Sequence, residues 1–191
     1  MDRSEKQRIR RELSARRLGL SPEEAAAAGR SAAEHLLERE EIRAAPAVGI
    51  YWAHRGELPT EALFRGLKAA GKKIFLPRIE AKGDRLVFAP FESEGELEPG
   101  PFGVLEPRGG ATLEAGDLPV LVLPGLAFDL AGGRIGWGQG YYDRVLRGYS
   151  GCRLALAYEF QVLAALPREA HDEAIHILVT EARSIEVRRA T

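Results

Sequence analysis

The chain has 191 residues, 45% of them hydrophobic, enough for one sizeable core and hardly for two, so a single domain over residues 1–191 is expected. Lys plus Arg number 27 against 28 Asp plus Glu, which excludes the global field of a polyanion-binding or extremely acidic protein and leaves anions to local clusters. The single cysteine, Cys152, excludes an internal disulfide and any multi-cysteine zinc site, and no apolar stretch approaches the roughly 20 residues that span a bilayer. The chain begins with charges rather than an apolar segment, so the expectation is a soluble cytoplasmic monomer with no membrane or nucleic-acid partner.

Ser4 followed by Gln7 reads as a capping box opening a helix to about Arg17, with Ile9 and Leu13 on one face. Lys6 and Arg10 are four residues apart and share a face, while Arg3, Arg8, Arg11, Arg16 and Arg17 spread over the remaining surface. Ser21, Pro22 and Glu24 supply the N-cap, first-turn proline and N3 acid of a second helix reaching about Glu40. Val48 to Trp52, Thr60 to Ala70 and Lys73 to Leu76 then read as strand, helix and strand, a βαβ unit. Ile79 to Phe91 reads as a hairpin around Lys82, Gly83 and Asp84, inserted among the parallel units. Glu92 to Gly116, rich in Glu, Pro and Gly, has little periodicity and reads as a long loop of the kind that often carries function.

Pro119 to Pro124 is short and apolar throughout, the pattern of a central strand covered on both faces. Cys152 to Tyr158 and His176 to Thr180 read as further strands, with a short helical segment ended by Pro167 between them. The fold class is therefore α/β, a three-layer α/β/α sandwich with a mostly parallel central sheet, an inserted hairpin and an N-terminal helical arm.

The most informative segment is Gly132 to Leu146, in which Gly136, Gly138 and Gly140 alternate ahead of a helical run from Tyr141 to Arg147. Glycines let backbone N–H groups converge on an anion, and a helix start adds positive potential there, a geometry that suits phosphate. The spacing is neither a P-loop nor a dinucleotide fingerprint, and alone it fits tight-turn packing equally well. Arg134 before the loop and Asp143 after it supply a cation for phosphate and a carboxylate for a metal at the same place.

At this point the chain resembles the 5-formyltetrahydrofolate cyclo-ligase (methenyltetrahydrofolate synthetase) family. The resemblance runs through Lys6 to Arg10, Glu57 to Thr60, Leu76 to Arg78, Phe102 to Pro107, Leu123 to Asp129, Arg134 to Asp143, His171 with Asp172, and Thr180 with Glu181, in that order. It implies an enzyme that uses ATP to close 5-formyltetrahydrofolate to 5,10-methenyltetrahydrofolate, releasing ADP and phosphate, with Mg2+ and through a phosphorylated formyl (imidate) intermediate. Such chemistry rests on positioning and charge neutralisation rather than a nucleophile and base pair, as the residue inventory suits.

Carried over residue by residue, the resemblance implies nucleotide binding by Lys6, Gln7, Arg8, Ile9 and Arg10 and by Arg134, Ile135, Gly136, Trp137, Gly138, Gln139, Gly140, Tyr141 and Tyr142. It implies catalytic roles for Lys6, Arg134 and Tyr142, folate contacts from Trp52, Glu57, Arg78, Trp137 and Tyr142, and magnesium ligation by Asp143 and Asp172. Each has a plainer reading beside it: a solvated basic helix face for Lys6 and Arg10, a first-turn carboxylate offsetting the helix dipole for Asp143, a loop cap for Asp172, a helix-entry residue for Glu57, core packing for Trp137. His171 and His176 lack the partners of a zinc site.

Trp137 and Gln139 stand where some members carry cations, Trp52 where a smaller apolar residue is usual, and His176 where an acid is usual. These departures leave open a nucleotide-binding paralogue acting on another N-formyl or carboxylate substrate. A non-catalytic polyanion-binding module is the other alternative, and the balanced charge speaks against it.

Overall fold

Ser21 and Glu24 form the expected capping box, Ser21 N–H donating to Glu24 Oε2 at 2.8 Å and Glu24 N–H to Ser21 Oγ at 3.2 Å. In the computed structural model, which describes residues 2–80, 85–167 and 172–187, the first helix, α1 (Asp2–Leu18), opens two residues before Ser4, so Ser4 lies inside it and not at its N-cap. The second, α2 (Pro22–Leu37), stops short of Glu40 because Arg39 adopts extended backbone (ψ 135°), its guanidinium bridging Glu41 and Glu186; α3 (Glu40–Ala44) follows.

The βαβ unit forms as β1 (Ala47–Ile50), α4 (Glu61–Ala69) and β2 (Lys73–Ile79), with β1 and β2 parallel. Antiparallel to β2 runs β3 (Leu86–Pro90), which forms the expected hairpin between the parallel units: its first strand is β2 itself and its second closes the sheet edge. Lys82, Gly83 and Asp84 lie outside the described residues. The long loop holds a small antiparallel pair, β4 (Leu97–Pro99) and β5 (Leu105–Pro107). Beyond it come β6 (Val120–Leu123), β7 (Ala127–Asp129), β8 (Arg134–Ile135), α5 (Tyr141–Leu146), β9 (Cys152–Leu156), β10 (Val162–Leu163), β11 (Ile177–Val179) and β12 (Ser184–Glu186). The helical segment expected before Pro167 is a single 3-10 turn, Glu159–Gln161, leading into β10.

The main sheet has seven strands in the order β12-β11-β9-β6-β1-β2-β3, with parallel pairing from β11 to β2 and an antiparallel strand at each edge. Its middle strand is β6, buried at all four positions as the apolar run predicts. Successive residues point to opposite faces: Val120 and Val122 join Leu154, Leu156 and Val48 under α2, α3 and α4, while Leu121 and Leu123 join Ala155, Phe128, Leu146 and Tyr149 on the side of α5. Ile9 and Leu13 of α1 pack separately on Ala127 and Ile135, the β7–β8 ribbon, to which β10 adds a third strand. Alpha-one is thus docked on the ribbon that leads into the glycine loop.

Buried Asp129 fixes that ribbon. Its Oδ1 accepts from Ala131 and Gly133 N–H at 3.0 and 2.7 Å and its Oδ2 from Leu166 N–H at 3.0 Å, joining the β7–β8 turn to the segment after β10. Asp129→Ala strands three donors, two of them buried, and is expected to cost about 3 kcal/mol. Urea unfolding checks this: the midpoint falls with the slope unchanged, and Asp129→Asn, which keeps Oδ1, lies between.

Candidate active site

From β1 the chain runs outward to β2 and β3, then returns to the other side of β1 as β6 and continues to β9 and β11. The order therefore reverses between β1 and β6, and the loops leaving their carboxyl ends must part there; such switch points are where open α/β sheets bind ligands. A cleft of about 290 Å³ lies there, lined by Tyr51, Trp52, His54, Arg55 and Glu57 after β1, Pro124 and Gly125 after β6, the glycine loop, and Lys6 and Arg10 of α1.

Lys6, Arg10 and Arg17 fall on one stripe of α1, since four residues are about one turn and eleven about three. Lys6 is 8% exposed and its Nζ lies 3.4 Å from Asp172 Oδ2. Arg10 Nε donates to the carbonyl of Gly136 at 2.8 Å, pinning the glycine loop to the helix. The Arg17 side chain is fully buried and donates to the carbonyls of Gly56, Gly125, His54 and Arg55 at 3.0–3.3 Å, with Glu57 Oε1 at 3.8 Å.

After β1, Tyr51 donates its hydroxyl to Leu58 O at 3.1 Å and Trp52 stacks on Phe64 with ring centroids 5.3 Å apart. Arg55 and Gly56 both have positive φ (49° and 72°), a tight left-handed turn rare for arginine. That turn aims Glu57 inward, where Oε2 accepts from His54 N–H at 3.1 Å. Burial outweighs the pull of Arg17, the His54 N–H and the Trp137 side chain, so the Glu57 carboxyl is pushed up to about 7. The same burial holds the Tyr51 and Tyr142 hydroxyls protonated, well above the usual phenol range.

Gly138 and Gly140 have φ of 92° and 69°, which the loop's tight path requires, and Gly140 caps α5. Arg134 Nη2 donates to Asp143 Oδ1 at 2.6 Å and the guanidinium lies over the Tyr142 ring at 5.6 Å. Trp137 is 39% exposed, flanked by the guanidinium groups of Arg55 and Arg17 at 5.5 and 5.8 Å from its ring, so it belongs to the cleft and not the core. Across the cleft stands Phe102, exposed and also at positive φ (61°), edge-on to Tyr141. The arrangement brings glycines, cations, a buried carboxyl and aromatic rings to one cleft, as a polyphosphate beside a flat polar heterocycle requires.

The profile of the 5-formyltetrahydrofolate cyclo-ligase family matches residues 2–181. The chain belongs to that family. It is 31% identical to the 5-formyltetrahydrofolate cyclo-ligase of Haemophilus influenzae, over 90% of this chain and 95% of the relative, and 30% identical to that of Escherichia coli, over 88% and 96%. The solution structure of Aquifex aeolicus 5,10-methenyltetrahydrofolate synthetase superposes with a TM-score of 0.85 at 33% identity, covering 97% of this chain and 94% of that one. A synthetase from Mycoplasma pneumoniae shares the fold at a TM-score of 0.75 and 19% identity, covering 92% and 98%.

Of the residues singled out by likeness to the cyclo-ligase family, the cleft gathers Lys6, Arg10, Trp52, Glu57, Arg134 through Tyr142, Asp143 and Asp172. It does not gather Gln7, Arg8, Ile9 or Arg78. Arg8 is exposed and pairs with Glu12 at 3.0 Å, Ile9 is core, Gln7 is exposed, and Arg78 donates to the carbonyls of Pro107 and Gly109. His176 accepts the Arg153 N–H in the sheet, and His171 lies outside the described residues. Sequence reasoning assigned no role to Tyr51, His54, Arg55, Phe102 or Glu106, all of which line the cleft, and left Arg17 on the surface. The eleven-residue spacing from Lys6 to Arg17 was the available signal.

Glu57 titrates higher folded, about 7, than its ordinary 4.5, so the folded state holds an extra proton between those values. Its contribution to stability is complete below about 4.5, is lost as pH rises towards 7 and is flat above. The stability of wild type relative to Glu57→Gln, from urea unfolding at several pH values, is expected to fall across that window; a constant difference would contradict the burial of an ionisable Glu57.

Proposed function

We propose that the protein closes 5-formyltetrahydrofolate to 5,10-methenyltetrahydrofolate at the expense of ATP, which leaves as ADP and phosphate. The observation that carries this reading is the meeting, in one cleft, of glycines and cations suited to a triphosphate with the Glu57 carboxyl, suited to a pterin. The formyl oxygen attacks the γ-phosphorus and ADP departs, leaving the phosphorylated imidate. N10 then attacks the activated carbon, its proton is lost, and phosphate leaves with the ring closed. Both steps need alignment and charge neutralisation more than a protein nucleophile.

Lys6, Arg10 and Arg134 are the cations for the phosphates. Asp172, Gly136 O and Asp143 hold them at 3.4, 2.8 and 2.6 Å, which fixes three long side chains before any substrate arrives. Gly136, Gly138 and Gly140 leave room for phosphate oxygens to approach the backbone N–H groups. Glu57, when ionised, accepts from the amino and N–H edge of the pterin, and Trp52 and Trp137 offer flat surfaces beside it. Asp143 and Asp172 would hold a magnesium ion: two carboxylates at one cleft, with water and phosphate oxygens completing the sphere, match how that ion is ordinarily bound. When bound it would neutralise charge building on the phosphates. The enzyme is read as a cytoplasmic monomer.

Purified protein mixed with 5-formyltetrahydrofolate and Mg-ATP is expected to release ADP and develop methenyltetrahydrofolate absorbance together, with neither when a substrate is omitted. ATP binding without product would move the assignment to another formyl or carboxylate substrate. Lys6→Ala and Asp143→Asn are each expected to lower turnover by roughly 10²-fold with the fold retained, the scale of one preorganised charge contact; near-full activity in both would place the nucleotide elsewhere.

A further inference from the structure

Arg17 stands in the last turn of α1, does not line the cleft, and yet is the largest charged side chain to be fully buried among the described residues. A guanidinium stays charged in any folded protein, so oxygen acceptors must meet its N–H groups. Three of those acceptors are the consecutive carbonyls of His54, Arg55 and Gly56, and a fourth is Gly125 in the bend after β6. Consecutive carbonyls point the same way only where the backbone coils tightly, and here Arg55 and Gly56 are both left-handed. For arginine such a conformation persists only where the surroundings impose it. A Cβ on Gly56 would lie 3.4 Å from the carbonyl carbon, carbonyl oxygen and Cβ of Arg17, so the turn packs directly against the helix at that residue.

Glu57 is the next residue. Its Oε2 is held by the first N–H of the turn and its Oε1 faces the guanidinium at 3.8 Å. We infer that Arg17 is a positioning residue for the folate, fixing the 54–57 turn and with it the direction in which Glu57 enters the cleft. Nucleotide binding falls to Lys6, Arg10 and Arg134, whose partners are different. The inference rests on the proposed cyclo-ligase activity.

A double-mutant cycle in steady-state kinetics tests it. Arg17→Lys keeps the cation but reaches fewer carbonyls, and is expected to raise KM for 5-formyltetrahydrofolate about tenfold or more while KM for ATP moves less than about threefold. Glu57→Gln raises the folate KM as well, and adding Arg17→Lys to it costs less than about a further twofold, because the arginine acts through the carboxylate. Gly56→Ala disturbs the turn from its other side and should show the same split between substrates, which keeps the test decisive should Arg17→Lys fold poorly. An unchanged folate KM, equal rises for both substrates, or independent effects that multiply would each overturn the role of Arg17. Wild type is the control: its failure to turn over would overturn the activity itself, whereas turnover with a multiplicative cycle sinks the inference alone.

Discussion

A charge can be buried only where oxygen atoms are brought to meet it, and α1 turns one stripe of charges inward. Lys6, Arg10 and Arg17 reach, in turn, the Asp172 carboxylate, the first of the alternating glycines of the glycine loop, and the two bends that leave β1 and β6. Each contact joins α1 to a segment more than thirty residues away. The helix therefore acts less as an arm than as the strut against which the loops of the cleft are set. Ile9 and Leu13 on the same side supply the apolar burial that holds it down.

Topology decides where those loops meet. Because the order of parallel strands reverses between β1 and β6, the bends at residues 51–57 and 124–125 diverge and leave a gap that the glycine loop closes from one side. One consequence is electrostatic. Lys6, Arg10 and Arg134 are paired and fixed, whereas Glu57 near pH 7 sits close to balance between its two protonation states, so the arrival of a hydrogen-bonding or charged ligand decides which it adopts. The backbone strain is placed accordingly: among the described residues the two non-glycine residues with positive φ, Arg55 and Phe102, both line this cleft.

Much of this was legible in the sequence because it is local. The apolar run at 120–123, the capping box at Ser21 and the alternating glycines each report on their own neighbourhood, and the structure has a central strand, a helix start and a cleft-lining loop there. What was not legible depends on long-range partners. Arg17 looks like one more surface cation until four distant carbonyls are known to surround it. Arg78, inside a family-like motif, braces a loop instead of the cleft. The three-stranded ribbon of β7, β8 and β10 escaped notice because its strands are two or three residues long, too short for any period to show. The break at Arg39 likewise depends on Glu186, far along the chain.

The central claim is that the cleft brings a nucleotide γ-phosphate against the formyl oxygen of the folate. The most direct measurement uses 5-formyltetrahydrofolate carrying 18O in its formyl group, a single turnover with Mg-ATP, and mass spectrometry of the released phosphate. The account predicts one labelled oxygen in each phosphate formed. Label recovered in water, with unlabelled phosphate, would mean that ATP is hydrolysed apart from the folate and would contradict the account.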